Sequence, residues 1–198
     1  DVHHPGARGQ QCEDHRTVHR VILPRRRRRW HAGRVQLRAT STPAGLLRVR
    51  YEVTADGRAV TGWSARAWHS HRDLVIDGHP YALRSEGIAR FALEGDIRAH
   101  IQRSVDHPDG PLSRPRWTVE LGDLTYRLTG SGIGRRFALL TTADAVNEAG
   151  RVWRTGGLRP SYGADLPDAL PLPVGVFVLW AAMAIWRATV TAAATAVR

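Results

Sequence analysis

The sequence predicts a mainly β protein: an antiparallel β-barrel, built from a duplicated multi-strand unit, that wraps around a hydrophobic C-terminal α-helix. Three observations support this: alternating apolar and polar residues from residue 46 onward, short motifs that repeat 45–51 positions apart, and one apolar run near the C-terminus. The length of 198 residues suffices for one domain with a core plus a tail. A hydrophobic fraction of 42% and a single cysteine exclude wholesale disorder and a disulfide scaffold.

The positive charge is concentrated in the first quarter of the chain. All 29 basic residues are arginines and the net charge is +11, of which residues 1–45 carry +7 and the remainder +4. Residues 1–45 show little apolar periodicity, so we predict a disordered Arg/His-rich tail, followed by a barrel domain over 46–198. Within the tail, the residues expected to contact an anionic lipid or membrane surface are Arg25, Arg26, Arg27, Arg28, Arg29 and Trp30. A merely solvated tail explains this run better than surface contact does, and we do not expect a nucleic-acid partner.

The strands are predicted from alternation with period two. Residues 47–53 carry apolar side chains at odd positions and mostly charged ones at even positions, and residues 117–121 alternate in the same way. Turn motifs separate such segments, at 55–58, 77–78, 107–111, 122–123, 130–132 and 147–150. A spacing of about 8–12 residues between turns indicates a meander of hairpins.

Part of this pattern occurs twice. Residues 78–83 share a glycine, a tyrosine and a leucine with residues 122–128, and Arg-Phe-Ala-Leu at 90–93 recurs at 136–139. Each copy is followed by a strand that ends in arginine. We therefore predict a duplicated unit of three or four strands, to which residues 47–64 add an opening hairpin.

The last predicted element is a helix over about 168–190. Asp168 and Pro171 or Pro173 are start signals, and residues 174–186 contain no polar side chain. A helix that is apolar all round must be surrounded by protein or by lipid. Thirteen residues span only about 20 Å, whereas a bilayer core is about 30 Å thick. The expected central-helix residues are Val174, Phe177, Val178, Trp180, Met183 and Trp186.

Two interpretations of this helix stay open. In the favoured one, the helix fills the barrel, because a sheet with one apolar face needs a cover. In the alternative, the chain is a single-pass membrane protein with a C-terminal transmembrane helix and a cytoplasmic β domain, with arginines 151, 154 and 159 preceding the span.

Other motifs give only weak chemical signals. His15 and His19 have metal-ligand spacing, and residues 68–71 hold a loop histidine pair, but solvated histidines explain both better. Residues 130–134 are rich in glycine, as phosphate loops are, but they lie between two strands and are better explained as a hairpin loop. We expect no catalytic residue, no cofactor, no metal site and no enzymatic activity.

The repeated units, together with residues 165–180 (Asp-Leu-Pro-Asp-Ala-Leu-Pro-Leu-Pro-Val-Gly-Val-Phe-Val-Leu-Trp), resemble small actinobacterial proteins of the tubby C-terminal-like superfamily. That superfamily also contains the LURP-one-related and phospholipid-scramblase domains. The resemblance covers about 47–190 and implies a barrel around a central helix. Independently of the family's functions, we expect a non-catalytic, cytoplasmic and membrane-associated module that binds a lipid or a membrane surface.

The functional residues of these families have no counterparts here. The lysine-bearing pocket of the tubby branch has no match in a chain without lysine, and the cysteine-rich segment of scramblases is matched only by Cys12. No binding residue is therefore carried over from the resemblance.

Overall fold

The computed structural model describes residues 33–44, 49–65, 71–104, 116–130, 134–141, 148–156 and 160–196, with side chains up to residue 189. These residues form twelve strands and one helix. The strands are β1 (Arg34–Pro43), β2 (Val49–Ala55), β3 (Arg58–Ala65), β4 (His71–Ile76), β5 (His79–Glu86), β6 (Arg90–Glu94), β7 (Ala99–Arg103), β8 (Arg116–Leu121), β9 (Leu124–Gly130), β10 (Arg136–Thr141), β11 (Glu148–Thr155) and β12 (Ser161–Pro167), and the helix is α1 (Leu172–Ala196).

The strands form one antiparallel sheet in the order β3-β2-β1-β12-β11-β10-β9-β8-β7-β6-β5-β4. All neighbours are consecutive in the chain except β1 and β12, which join the two halves of the sheet. The edge strands β3 and β4 meet at a seam, where the Asp77 amide donates to the Val60 carbonyl at 3.0 Å. Arg72 Nη1 also crosses the seam to the Ser64 carbonyl, at 2.7 Å. The sheet is therefore a nearly closed barrel.

Helix α1 fills this barrel. Residues 174–186, the run without polar side chains, are all buried, and Val174, Phe177, Val178, Met183 and Trp186 have no exposed surface. Gly175 allows the helix to approach the sheet, because a Cβ there would lie 3.2 Å from Leu37 and 3.3 Å from Leu166. The prediction of a barrel wrapped on a hydrophobic helix is confirmed.

The helix begins later than predicted. Its first hydrogen bonds run from the amides of Val174 and Gly175 to the Pro171 carbonyl, at 2.9 and 3.0 Å. Asp168 instead lies within a turn in which the Leu170 amide donates to the Pro167 carbonyl. Proline is tolerated in a first helical turn, which explains why α1 accommodates Pro173.

The sequence repeat corresponds to a repeat of inward-facing positions. β5 and β6 carry the first copy, and β9 and β10 the second. In both copies the shared tyrosine, the leucine that follows it, and the phenylalanine and leucine of Arg-Phe-Ala-Leu are buried inside the barrel: Tyr81, Leu83, Phe91, Leu93, Tyr126, Leu128, Phe137 and Leu139.

Strand β1 lies inside the range that the sequence assigns to the tail. Its side chains alternate, so that Leu37 and Ala39 are buried while Arg38 is exposed. Its seven residues from Leu37 onward pair with β2, and six from Arg34 pair with β12. The two arginines of this strand, Arg34 and Arg38, lie on the outer wall, and the sequence analysis grouped them with the Arg/His-rich residues that precede them. The barrel therefore begins before the predicted boundary at residue 46.

Candidate functional site

The two ends of the barrel differ in chemistry. We call the end where α1 begins, beside Pro167, the proximal end, and the end where α1 leaves the barrel the distal end. Trp186 marks the distal end, because it packs on Tyr162 at the start of β12 and on Phe137 at the start of β10, with ring centroids 5.9 and 4.9 Å apart.

Arginines collect at the distal end. At each end of the barrel we count the charged residues among the two terminal residues of every strand and among the described residues that connect the strands. At the distal end we also count Arg187 of the helix. The distal end then has nine arginines and one carboxylate, Glu86, among the described residues, whereas the proximal end has three arginines and eight carboxylates. The nine arginines, which we call the arginine rim, are Arg50, Arg72, Arg90, Arg103, Arg116, Arg135, Arg136, Arg154 and Arg187.

A layer of aromatic rings lies beneath the rim and closes the distal end. Tyr51 packs on Trp63 and on Tyr162, with centroids 5.5 and 6.3 Å apart. Trp117 meets Phe137 edge to face at 5.7 Å. All five rings are buried. The rim is thus a cationic surface, with five of its nine arginines exposed and four half-buried, supported by an apolar layer.

Two rim arginines are anchored to this layer. Arg187 Nη1 donates to the Tyr51 hydroxyl at 3.0 Å, and the Arg154 guanidinium lies 5.8 Å from the Trp186 ring centroid. Burial, followed by the proximity of Tyr51, raises the pKa of Tyr162 to about 12, although Arg187 and Arg154 oppose the shift. Tyr162 is therefore a neutral phenol at physiological pH.

A groove runs down the outer wall from the rim. It has a volume of about 490 Å³ and is lined by Thr129, Gly130, Gly134, Arg135, Arg136, Ala138 and Glu148. Arg136 is ion-paired with Glu148 across the groove. The Thr129 hydroxyl is buried beneath the groove surface and has no hydrogen-bond partner among the described residues.

Asp165 is the one buried charged residue among those described. Its carboxylate lies 2.8 Å from Arg34 of β1 and 3.6 Å from Arg151 of β11. Since Asp165 belongs to β12, these contacts tie three neighbouring strands together on the outer wall. We assign it a structural role.

The sequence-predicted contact residues, Arg25, Arg26, Arg27, Arg28, Arg29 and Trp30, lie outside the described residues, as do His15 and His19. The predicted central-helix residues are all buried inside the barrel. Sequence analysis missed the arginine rim, because its members come from eight strands or connections and one helix. A usable signal was present: the repeated motif places an arginine at the start of both β6 and β10.

Within the described ranges, no group of three or more His, Cys, Asp or Glu side chains could hold a metal ion. The chain matches no model of a known protein family and no curated protein sequence.

Proposed function

We propose that this chain is a non-catalytic β-barrel module, related to the tubby C-terminal-like superfamily, that binds an anionic membrane surface in the cytoplasm through the arginine rim. The observation that carries the proposal is the distribution of charge: nine arginines and one carboxylate at the distal end, against three and eight at the proximal end. A molecule with this polarity would orient with its distal end toward a negative surface.

The magnitude of the attraction supports this orientation. A basic side chain near an anionic leaflet contributes about 1 kcal/mol, and the effect falls off within a Debye length of about 8 Å. Arginines gathered at one end lie within that range together, whereas those at the opposite end lie beyond it.

The helix adds an uncharged extension on the same side. α1 continues from Arg187 to Ala196, and these last nine residues are all alanine, threonine or valine. These residues add no carboxylate to the distal end, so they do not oppose its attraction to a negative surface.

Vesicle sedimentation tests the proposal. In the full chain, Arg50, Arg90 and Arg116 are replaced by glutamine, and a control with the same change in net charge replaces Arg38, Arg58 and Arg98, which lie away from the distal end. We expect the rim variant to bind phosphatidylserine vesicles about a hundredfold more weakly, since three arginines correspond to about 3 kcal/mol. The control should change little. Equal losses in both variants, or equal wild-type binding to neutral and anionic vesicles, would overturn the proposal.

A single-pass membrane protein is the second candidate function. Leu172–Thr189 has the length and the mean hydropathy, 1.5, of a membrane span, although 72% of this window is buried inside the barrel. Core helices of soluble proteins share these properties. Carbonate extraction distinguishes the two: a peripheral module is released from membranes, whereas a spanning protein stays in the membrane fraction.

A further inference from the structure

We infer that the seam between β3 and β4 is a gate in the barrel wall, which opens transiently and lets water reach Thr61 and Trp63 on the inner face of β3. The inference is independent of the proposed membrane function, because it concerns how the wall opens and not what the arginine rim binds. It depends only on described residues of the two edge strands and of the strands beside them.

The seam is held more weakly than any other junction in the sheet. Every other pair of neighbouring strands is joined by a ladder of paired residues, whereas β3 and β4 share none. Among the described residues, three polar contacts cross the seam. At the proximal end the Asp77 amide donates to the Val60 carbonyl, and the Asp77 carboxylate is paired with Arg58 in an exposed contact that adds little stability. At the distal end Arg72 Nη1 donates to the Ser64 carbonyl.

The middle of the seam lacks backbone hydrogen bonds. Because Val60 faces Asp77, the residues two positions further along each strand, Gly62 and Val75, face each other. No backbone hydrogen bond joins these two described residues, and both are exposed, Val75 by 60%. A β-bulge at Val60 bends β3, and at Gly62 an added Cβ would lie only 2.9 Å from the Tyr51 carbonyl of β2. β3 is therefore held by β2 rather than by β4.

Two polar side chains lie on the inner face of β3 behind this gap. Thr61 pairs with Val53 and Trp63 with Tyr51, and since Val53 and Tyr51 point into the barrel, Thr61 and Trp63 do so too. The Thr61 hydroxyl and the Trp63 indole Nε1 are both fully buried, and neither has a hydrogen-bond partner among the described residues. The closed barrel thus leaves two polar atoms unpaired on the strand that borders the seam.

These unpaired atoms favour opening. Buried polar groups normally have a partner in protein or in ordered water, and a group that lacks one raises the free energy of the state that buries it. Neither atom has accessible surface while the seam is closed, so water reaches them only when β3 and β4 separate. Local openings occur in the least stable part of a structure, which here is the junction without a ladder.

Exchange of indole N–H protons with solvent tests the gate, and the chain contains its own control. Trp186 Nε1 is also fully buried and without a partner, but it lies against Tyr162 and Phe137, away from the seam. The ¹⁵N-labelled full chain is transferred to D₂O, and the two indole signals, assigned with Trp63→Phe and Trp186→Phe, are followed by NMR. We expect the Trp63 proton to exchange at least about tenfold faster than the Trp186 proton, which corresponds to about 1.4 kcal/mol in opening free energy.

Two substitutions should move the Trp63 rate in opposite directions. Arg72→Gln removes the distal contact of the seam and should accelerate Trp63 exchange several-fold, while Trp186 exchange stays unchanged. Thr61→Val removes the hydroxyl that the closed state leaves unpaired and should slow it. Arg84→Gln is the matched control, because Arg84 is an exposed arginine of β5 that bonds Glu94 within a complete ladder. Its Trp63 rate should equal that of the wild type.

Urea denaturation of each variant separates a gate from general destabilisation. If the gate exists, Arg72→Gln changes the Trp63 rate more than its small change in the free energy of unfolding accounts for. Equal exchange of the two indole protons in the wild type would overturn the inference. So would a Trp63 rate that neither Arg72→Gln nor Thr61→Val alters.

Discussion

The proximal and distal ends of this barrel are built from the same twelve strands, but they differ in connection length and in charge. Proximal connections have two to six residues and distal ones three to twelve. Two proximal turns are Asp-Gly pairs with positive φ at both residues, 49° and 83° at Asp56 and Gly57, and 50° and 86° at Asp77 and Gly78. This geometry matches the twist of the flanking strands and makes tight hairpins.

The difference in charge between the two ends distinguishes the residues that folding requires from those that a function would require. Inside the barrel both ends obey the same rule, because every strand must present apolar residues to α1. Outside, folding does not demand arginine at one end and carboxylate at the other. The charge polarity is therefore where function is to be sought, and the interior should behave as one unit.

The largest expected effect is on the stability of the barrel interior, and it tests whether the interior unfolds as one cooperative unit. Phe177 lies near the proximal end of α1 and Trp186 near the distal end, and both are fully buried. Replacing either by alanine should lower the free energy of unfolding by about 3–5 kcal/mol, measured by urea denaturation. We expect one cooperative transition in both variants. A variant that loses only the distal half, in a separate transition, would show two independent ends.

A smaller effect is expected at a proximal turn. Gly78 has a φ of 86°, and no atom lies within 4 Å of the place that an added Cβ would take, so Gly78→Ala adds backbone strain without a clash. It should cost about 1–2 kcal/mol, visible as a lower Tm. Gly78→Asn is the control, because asparagine tolerates the left-handed region better. A Tm unchanged by alanine would mean that the turn does not define the proximal end.

The smallest effect concerns the distal end at high pH. The raised pKa of Tyr162, about 12, against an unfolded value of 10.0 means that folded Tyr162 keeps its proton longer. Its contribution to stability is full below pH 10 and is lost as pH rises toward 12. Tyrosinate absorbance should show a phase near pH 12 that disappears in Tyr162→Phe. Complete ionisation of all 4 tyrosines near pH 10 would contradict the buried distal layer.

Much of the fold was predictable from the sequence, because patterns within short segments indicate its strands, its turns and its helix. Alternation marked β2 and β8, the Asp-Gly pairs marked turns, and residues 174–186 coincide with the buried stretch of α1. The helix start was misplaced by four residues, because Asp168 resembles a helix cap but lies within an isolated turn. β1 was missed because its apolar alternation is short and directly follows the Arg/His-rich residues assigned to a disordered tail.

The distal site was not predictable for a different reason. Its arginines lie on strand ends, one connection and the helix, and they are separated by as many as 137 positions, from Arg50 to Arg187. Only the register of twelve strands brings them to one rim, and a single sequence does not supply that register. The groove likewise needs the pairing of Ala138 with Thr129.

The pairing of β1 with β12 has a consequence for synthesis of the protein. The barrel cannot close until β12 has left the ribosome, and α1, which fills the interior, emerges after all twelve strands. Twelve strands with apolar faces must therefore wait for the helix that covers them, a state prone to aggregation. Folding of the barrel is expected to be slow, as for other chains dominated by contacts distant in sequence.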